Sequence, residues 1–235
     1  MRTILISGAN RGIGKAIAKR AINDGHRVSL GVKNPDELIG SDLDPRNARA
    51  NQVIINQYDA RNQVDAYTWV KNTKEKFDGF DALINCAGIF KRTPFNFKEH
   101  EEQDINELLK VNLFGPWILC KEAWEELISQ PSGRIVFLVS MSGKRSKGNL
   151  AGYSVSKFAL MGLCQTIRNE GWKHGLRVTA ISPSWVNTDM AAQISALKKE
   201  EMTQPEDIGA ITSTILQLPN SSVPFDVSVN CNLEL

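Results

Sequence analysis

Apolar residues fall in short, nearly continuous runs rich in β-branched side chains, at 3–7, 27–30, 52–55, 80–85, 134–140, 176–181 and 225–229. Runs that do not alternate polar with apolar positions predict strands covered on both faces, as in a parallel sheet between two layers of helices. Between them lie stretches of helical period, at 13–23, 64–77, 105–128, 153–172 and 206–218. Strand and helix therefore alternate along the whole chain. With right-handed crossovers this predicts an α/β fold, a single doubly wound, mainly parallel seven-stranded sheet with helices on both faces. No composition shift or long Pro, Gly or Ser linker separates a second unit, so residues 1–235 are expected to form one domain. The irregular segments 34–49, 91–104 and 188–204 predict loops over the surface or the site.

A chain of 235 residues is long enough for one sizeable core. Its 42% hydrophobic and 23% charged residues exclude a disordered tail or a fibrous repeat. A net charge of +2 creates no field that would draw nucleic acid or an anionic membrane, so any charged function must be local. Cys86, Cys120, Cys164 and Cys231 form no C-x-x-C pair, and His26, His100 and His174 form no H-x-x-x-H, so neither a disulfide framework nor a metal site is expected. The apolar run after Arg2 is too short for a signal peptide and no stretch approaches the length of a membrane span, which predicts a reduced, cytoplasmic compartment.

Two features carry chemistry. The first strand ends in Ser7-Gly8-Ala9-Asn10-Arg11-Gly12-Ile13-Gly14 and opens an alanine-rich helix, a turn whose backbone N–H groups can hold an anion. Its glycine spacing is not G-x-G-x-x-G, and Lys15 is followed by Ala16, so it is not a P-loop. Further on, Tyr153 and Lys157 lie four apart in a helical stretch, on one face and one turn from each other. A tyrosine of pKa about 10 is a poor proton donor or acceptor at neutral pH, and a neighbouring ammonium favours its phenolate. Tyr67 and Lys71 have the same spacing, so the pair alone decides nothing.

The glycine turn, Asn85-Cys86-Ala87-Gly88 after the fourth strand, Asn112, Ser140, Tyr153 to Lys157 and the segment from Pro183 to Thr188 together resemble the short-chain dehydrogenase/reductase family, over almost the whole chain. The resemblance implies a Rossmann-like domain that binds a nicotinamide dinucleotide along the carboxyl ends of its strands. It implies Asn112, Ser140, Tyr153 and Lys157 as catalytic residues: Tyr153 transfers the proton, Ser140 orients the substrate oxygen, and Asn112 holds a water leading to Lys157. Ser140 lies 13 residues before Tyr153, whereas Ile54 holds that place before Tyr67. Ser142 is read as a pocket or loop residue. For the cofactor the resemblance implies Gly8, Asn10, Arg11, Gly12, Ile13, Gly14, Lys33, Asp59, Ala60, Asn85, Ala87, Gly88, Tyr153, Lys157, Pro183, Val186 and Thr188. Asp59 would accept from the adenine amine, with helix capping as its alternative. Ser184 stands where the family carries glycine, and Trp185 would wall the substrate pocket or belong to the core.

No acid ends the second strand at Gly31-Val32-Lys33-Asn34. By resemblance, Val32 falls where NAD-preferring members carry aspartate, and Lys33 and Arg11 fall at basic positions of NADP-preferring members. The expectation is NADP(H) over NAD(H), with Pro35 turning the chain away before Asp36 and Glu37. The implied activity is hydride transfer between that cofactor and a carbonyl or alcohol substrate. A 3-oxoacyl-thioester reductase is one alternative, suggested by Lys91, Arg92, Lys144, Arg145 and Lys147 near the site mouth; a non-catalytic NADP-sensing regulator is the other. Apolar residues on several sides of the helical stretches, including Leu108, Trp117, Trp124, Phe158, Met161 and Leu163, together with family habit, suggest a homodimer or homotetramer. A lid over 188–204 is read as one short amphipathic helix with Met190, Ala191, Ile194, Leu197 and Met202 turned inward over an open, largely apolar pocket.

Overall fold

The seven apolar runs form strands β1 (Thr3–Ser7), β2 (Arg27–Val32), β3 (Val53–Gln57), β4 (Ala82–Asn85), β5 (Arg134–Leu138), β6 (Arg177–Pro183) and β7 (Asp226–Val229). The computed structural model describes residues 1–47, 51–191 and 198–231. The strands make one sheet in the order β3-β2-β1-β4-β5-β6-β7, and every neighbouring pair is parallel. From β1 the chain winds outward to β2 and β3, then returns to place β4 on the other side of β1. The strand order therefore reverses between β1 and β4, which opens a crevice at their carboxyl ends.

Side chains of β1 point alternately to the two faces. Ile4 and Ile6 pack with Ile17 of α1 (Gly12–Asn23) and with Ile208 and Leu216 of α6 (Pro205–Gln217). Leu5 belongs to the opposite layer, with Trp69 of α2 (Gln63–Phe77), Leu119 and Leu127 of α4 (Gly115–Ser129), and Leu160 of α5 (Ala151–Gly171). Both faces are thus covered, as the unbroken apolar runs require.

The stretch predicted as one helix over 105–128 is broken. A helix α3 (Glu102–Leu109) passes into a π turn, Lys110–Phe114, before α4 begins. The Gly115 N–H donates to the carbonyl of Lys110, five residues back. Pro116 has no N–H to return to the Asn112 carbonyl, so regular α-helical bonding cannot continue there. The bulge carries Asn112, which is fully buried. Of the predicted lid, residues 192–197, including Ile194, lie outside the described residues, as do 232–235 and 48–50. In the described parts of the lid Ala191 and Met202 are buried, and Lys199–Glu201 makes a single 3₁₀ turn.

Candidate active site

The glycine turn is fixed by close approach. A Cβ on Gly14 would lie 2.2 Å from the Gly8 carbonyl oxygen, and Gly8, at φ +68°, would set one 2.9 Å from the Ala87 Cα. Ser7, the polar end of β1, ties the same two loops together: its hydroxyl oxygen accepts from the N–H groups of Cys86 and Ala87, each at 3.0 Å. The first turn of α1 carries no acid, and its N-cap, Arg11, makes no side-chain capping bond. The open end of a twelve-residue helix therefore presents N–H donors and the positive pole of its dipole to the crevice.

That crevice is a cleft of about 650 Å³. It is lined by Asn10, Arg11, Gly12, Lys33, Asp59 and Ala60 and also by Ser140, Ser142, Tyr153, Lys157, Pro183, Val186 and Thr188, with Ala87 and Gly88 on its wall; Thr188 stands beside Gly12, where a Cβ would meet its methyl at 3.1 Å. A cleft of this volume, lined by the uncapped N-terminus of α1, fits a dinucleotide, whose pyrophosphate needs those N–H groups. Asn85 does not line the cleft. Its side chain is buried and donates to the Cys120 sulfur at 3.3 Å, so any cofactor contact there falls to the backbone beside it.

Tyr153 and Lys157 project from α5 on one face, with the Lys157 Nζ 5.9 Å from the phenol ring centroid. Tyr153 is 9% exposed whereas Tyr67 is 56% exposed, so only the first of the two spaced pairs faces an enclosed site. Phe90 meets the Tyr153 ring edge-on at 5.0 Å. The Lys157 ammonium donates to the carbonyl of Leu138 at 2.9 Å, which anchors it to the end of β5. Ser140 follows that strand, and its hydroxyl accepts from the Ser142 N–H at 3.1 Å. Behind them, the Asn112 amide grips Ile89 at two points, accepting from its N–H at 2.9 Å and donating to its carbonyl at 3.0 Å. The same amide nitrogen reaches the Ser156 hydroxyl at 3.1 Å. A Cβ on Gly88 would stand 3.3 Å from the Asn112 oxygen and 3.8 Å from the Lys157 Nζ, so glycine keeps open the small space between them.

A short chain dehydrogenase family model matches residues 2–199. The chain belongs to the short chain dehydrogenase family. Among its relatives, agropine synthesis reductase of Rhizobium rhizogenes is 34% identical over 98% of this chain, which spans only 53% of that protein's length. Oxidoreductase UcpA of Escherichia coli O157:H7 is 30% identical over 96% of this chain and 84% of its own. Among solved structures, a short-chain dehydrogenase/reductase, glucose/ribitol dehydrogenase, from Brucella melitensis superposes with a TM-score of 0.88. It is 25% identical, and the match covers 100% of this chain and 97% of the other.

Electrostatics in this family member differ from the sequence expectation at Tyr153. Burial raises the phenol pKa, and the Ser140 hydroxyl offsets this only in part, so the site holds a protonated phenol at neutral pH. The same burial lowers Lys157 to about 8. At the other end Asp59 is held by Arg61 at 2.9 Å, which lowers its carboxyl pKa. It does not cap α2, where Asn62 accepts from the Val64 N–H at 3.0 Å. Of the five basic residues flagged near the mouth, Lys91 pairs with Asp104 and Glu107, and Lys144 with Asp226, while Arg145 and Lys147 line the cleft. Trp185 lines it too.

Glu37 corrects one expectation outright. Pro35 does not turn the chain away but opens a 3₁₀ turn, Pro35–Leu38, that returns Glu37 to the cleft wall. Two cleft-side residues carry no sequence expectation: Ser7, which bonds the backbone of Cys86 and Ala87, and Arg61, which pairs with Asp59. Only Ser7 left a signal, a polar residue closing an apolar strand.

Proposed function

We propose that the chain is an NADP(H)-dependent oxidoreductase that reduces a carbonyl to an alcohol and runs the reverse reaction. The observation that carries this reading is the gathering of Ser140, Tyr153 and Lys157 on one wall of a cleft whose far end fits a dinucleotide. The bound nicotinamide supplies or accepts the hydride. Tyr153 holds the proton that the carbonyl oxygen takes up, and Ser140 donates a hydrogen bond that orients that oxygen. Lys157, charged below about pH 8, stabilises the phenolate left behind. A water between the Asn112 oxygen and Lys157, in the space kept by Gly88, would restore the proton. A non-catalytic sensor would have no use for this set, which weighs against that alternative. Arg145 and Lys147 on the cleft wall keep a thioester with an anionic carrier as the second reading.

NADP(H) preference rests on Lys33 and Arg11 at the adenosine end and on Val32 in place of an acid. Steady-state kinetics of the purified chain should give a higher kcat/KM with NADPH than with NADH, and Val32→Asp with Lys33→Ile should reverse the order. Equal efficiency of the unaltered chain with both cofactors contradicts the assignment.

A homodimer or homotetramer is supported by Trp117 of α4 and Phe158 of α5, about half exposed, with Phe114 and Val155 beside them. Leu108 and Leu163, read from the sequence as candidates for the same contact, are buried within the chain's own core.

A further inference from the structure

We propose that Glu37 sets the balance between the two nicotinamide cofactors, opposing the cations that favour NADPH. The inference rests on the dinucleotide reading above and adds to it a residue of opposite sign.

Three local features hold Glu37 in place. Asn34 caps the turn, its side-chain oxygen accepting from the Asp36 N–H at 3.2 Å. Pro35 opens the turn, and buried Leu38 anchors its end. Glu37 is then fixed from the glycine turn: the Asn10 amide donates to its Oε2 at 2.6 Å. Asn10, Arg11, Lys33 and Glu37 all line the cleft. Other charges lie nearby. Arg11 lies 3.8 Å from Asp189, both well exposed, and Asp59 pairs with Arg61. Lys33 acts on Asp59 through space.

NADPH and NADH differ here only by the phosphate on the adenosine 2′-oxygen. A dianionic phosphate is drawn to Lys33 and Arg11 and repelled by Glu37. A 2′-hydroxyl is a hydrogen-bond donor, and a fixed carboxylate is a good acceptor for it. Glu37 therefore penalises one cofactor and supports the other, the repulsive element that selectivity commonly requires. Being exposed, its charge is screened, so the effect is graded and not absolute.

The test is calorimetric titration of the full chain with NADPH and with NADH. Glu37→Gln keeps an oxygen for the Asn10 bond and removes only the charge. NADPH binding should tighten roughly fivefold, while NADH binding stays within about twofold or weakens. Lys33→Gln should move the affinity ratio the opposite way. An unchanged NADPH-to-NADH ratio in Glu37→Gln, including equal tightening of both, overturns the role of Glu37. Failure of the unaltered chain to bind either cofactor overturns the dinucleotide reading itself.

Discussion

At the scale of single residues, burial dominates the chemistry of the site. Tyr153 keeps its proton because its surroundings disfavour phenolate, and Lys157 is brought to about 8 by the same cause. The sign of the pH effect follows: above about pH 8 the ammonium that stabilises a developing phenolate is lost. The rate of carbonyl reduction should be level near neutrality and fall with a midpoint near 8, and Lys157→Met should give a slow rate without that inflection. A pH profile of kcat/KM for both proteins checks this. Helical spacing put these two side chains on one face, but only the family resemblance, with Ser140 13 residues before Tyr153, set them apart from Tyr67 and Lys71. The protonation state was not legible in the sequence, since it depends on how much water α5 excludes once packed. The place of Glu37 was not legible either, since a proline after a strand fits a chain turning either way, and Asn34 and Pro35 together start a turn back toward the cleft.

At the scale of elements, strands and most helices match the hydrophobic pattern to within about two residues, since β-branched runs and helical period are local signals. The break in the long helix needed two residues read jointly, Asn112 and Pro116. Its consequence is mechanical: the bulge turns the Asn112 amide to bind both polar groups of the Ile89 backbone, which holds the segment carrying Gly88 and Phe90 against Tyr153. Asn112→Leu fills similar volume but leaves the Ile89 N–H and carbonyl without this partner. It should lower stability by about 2 kcal/mol in urea unfolding. Equal stability of the leucine variant and the unaltered chain would contradict the bridging role.

At the scale of the whole molecule, the wholly parallel sheet gathers at one end segments as distant in sequence as Gly8 and Thr188, and a Cβ on Gly12 would meet the Thr188 methyl at 3.1 Å. The opposite end of the sheet holds a pH-sensitive contact. His26 is buried and its Nδ1 accepts from the Arg2 N–H at 3.0 Å, so folding requires the neutral ring. Burial lowers its pKa from 6.5, and the unfolded chain therefore binds the proton more readily. This contribution is complete above pH 6.5 and is lost as pH falls below it. Thermal midpoints should drop more steeply below pH 6.5 in the unaltered chain than in His26→Gln. The catalytic assignment lies at the other end of the sheet and is tested by NADPH consumption and alcohol formation over a panel of aliphatic, aromatic and polyhydroxylated carbonyls, for the unaltered chain, Tyr153→Phe and Tyr67→Phe. At least one carbonyl should be turned over, at an undiminished rate by Tyr67→Phe and about 10²-fold or more slowly by Tyr153→Phe, which still binds NADPH. Equal loss in the two variants, or NADPH binding without turnover of any carbonyl by the unaltered chain, would contradict it.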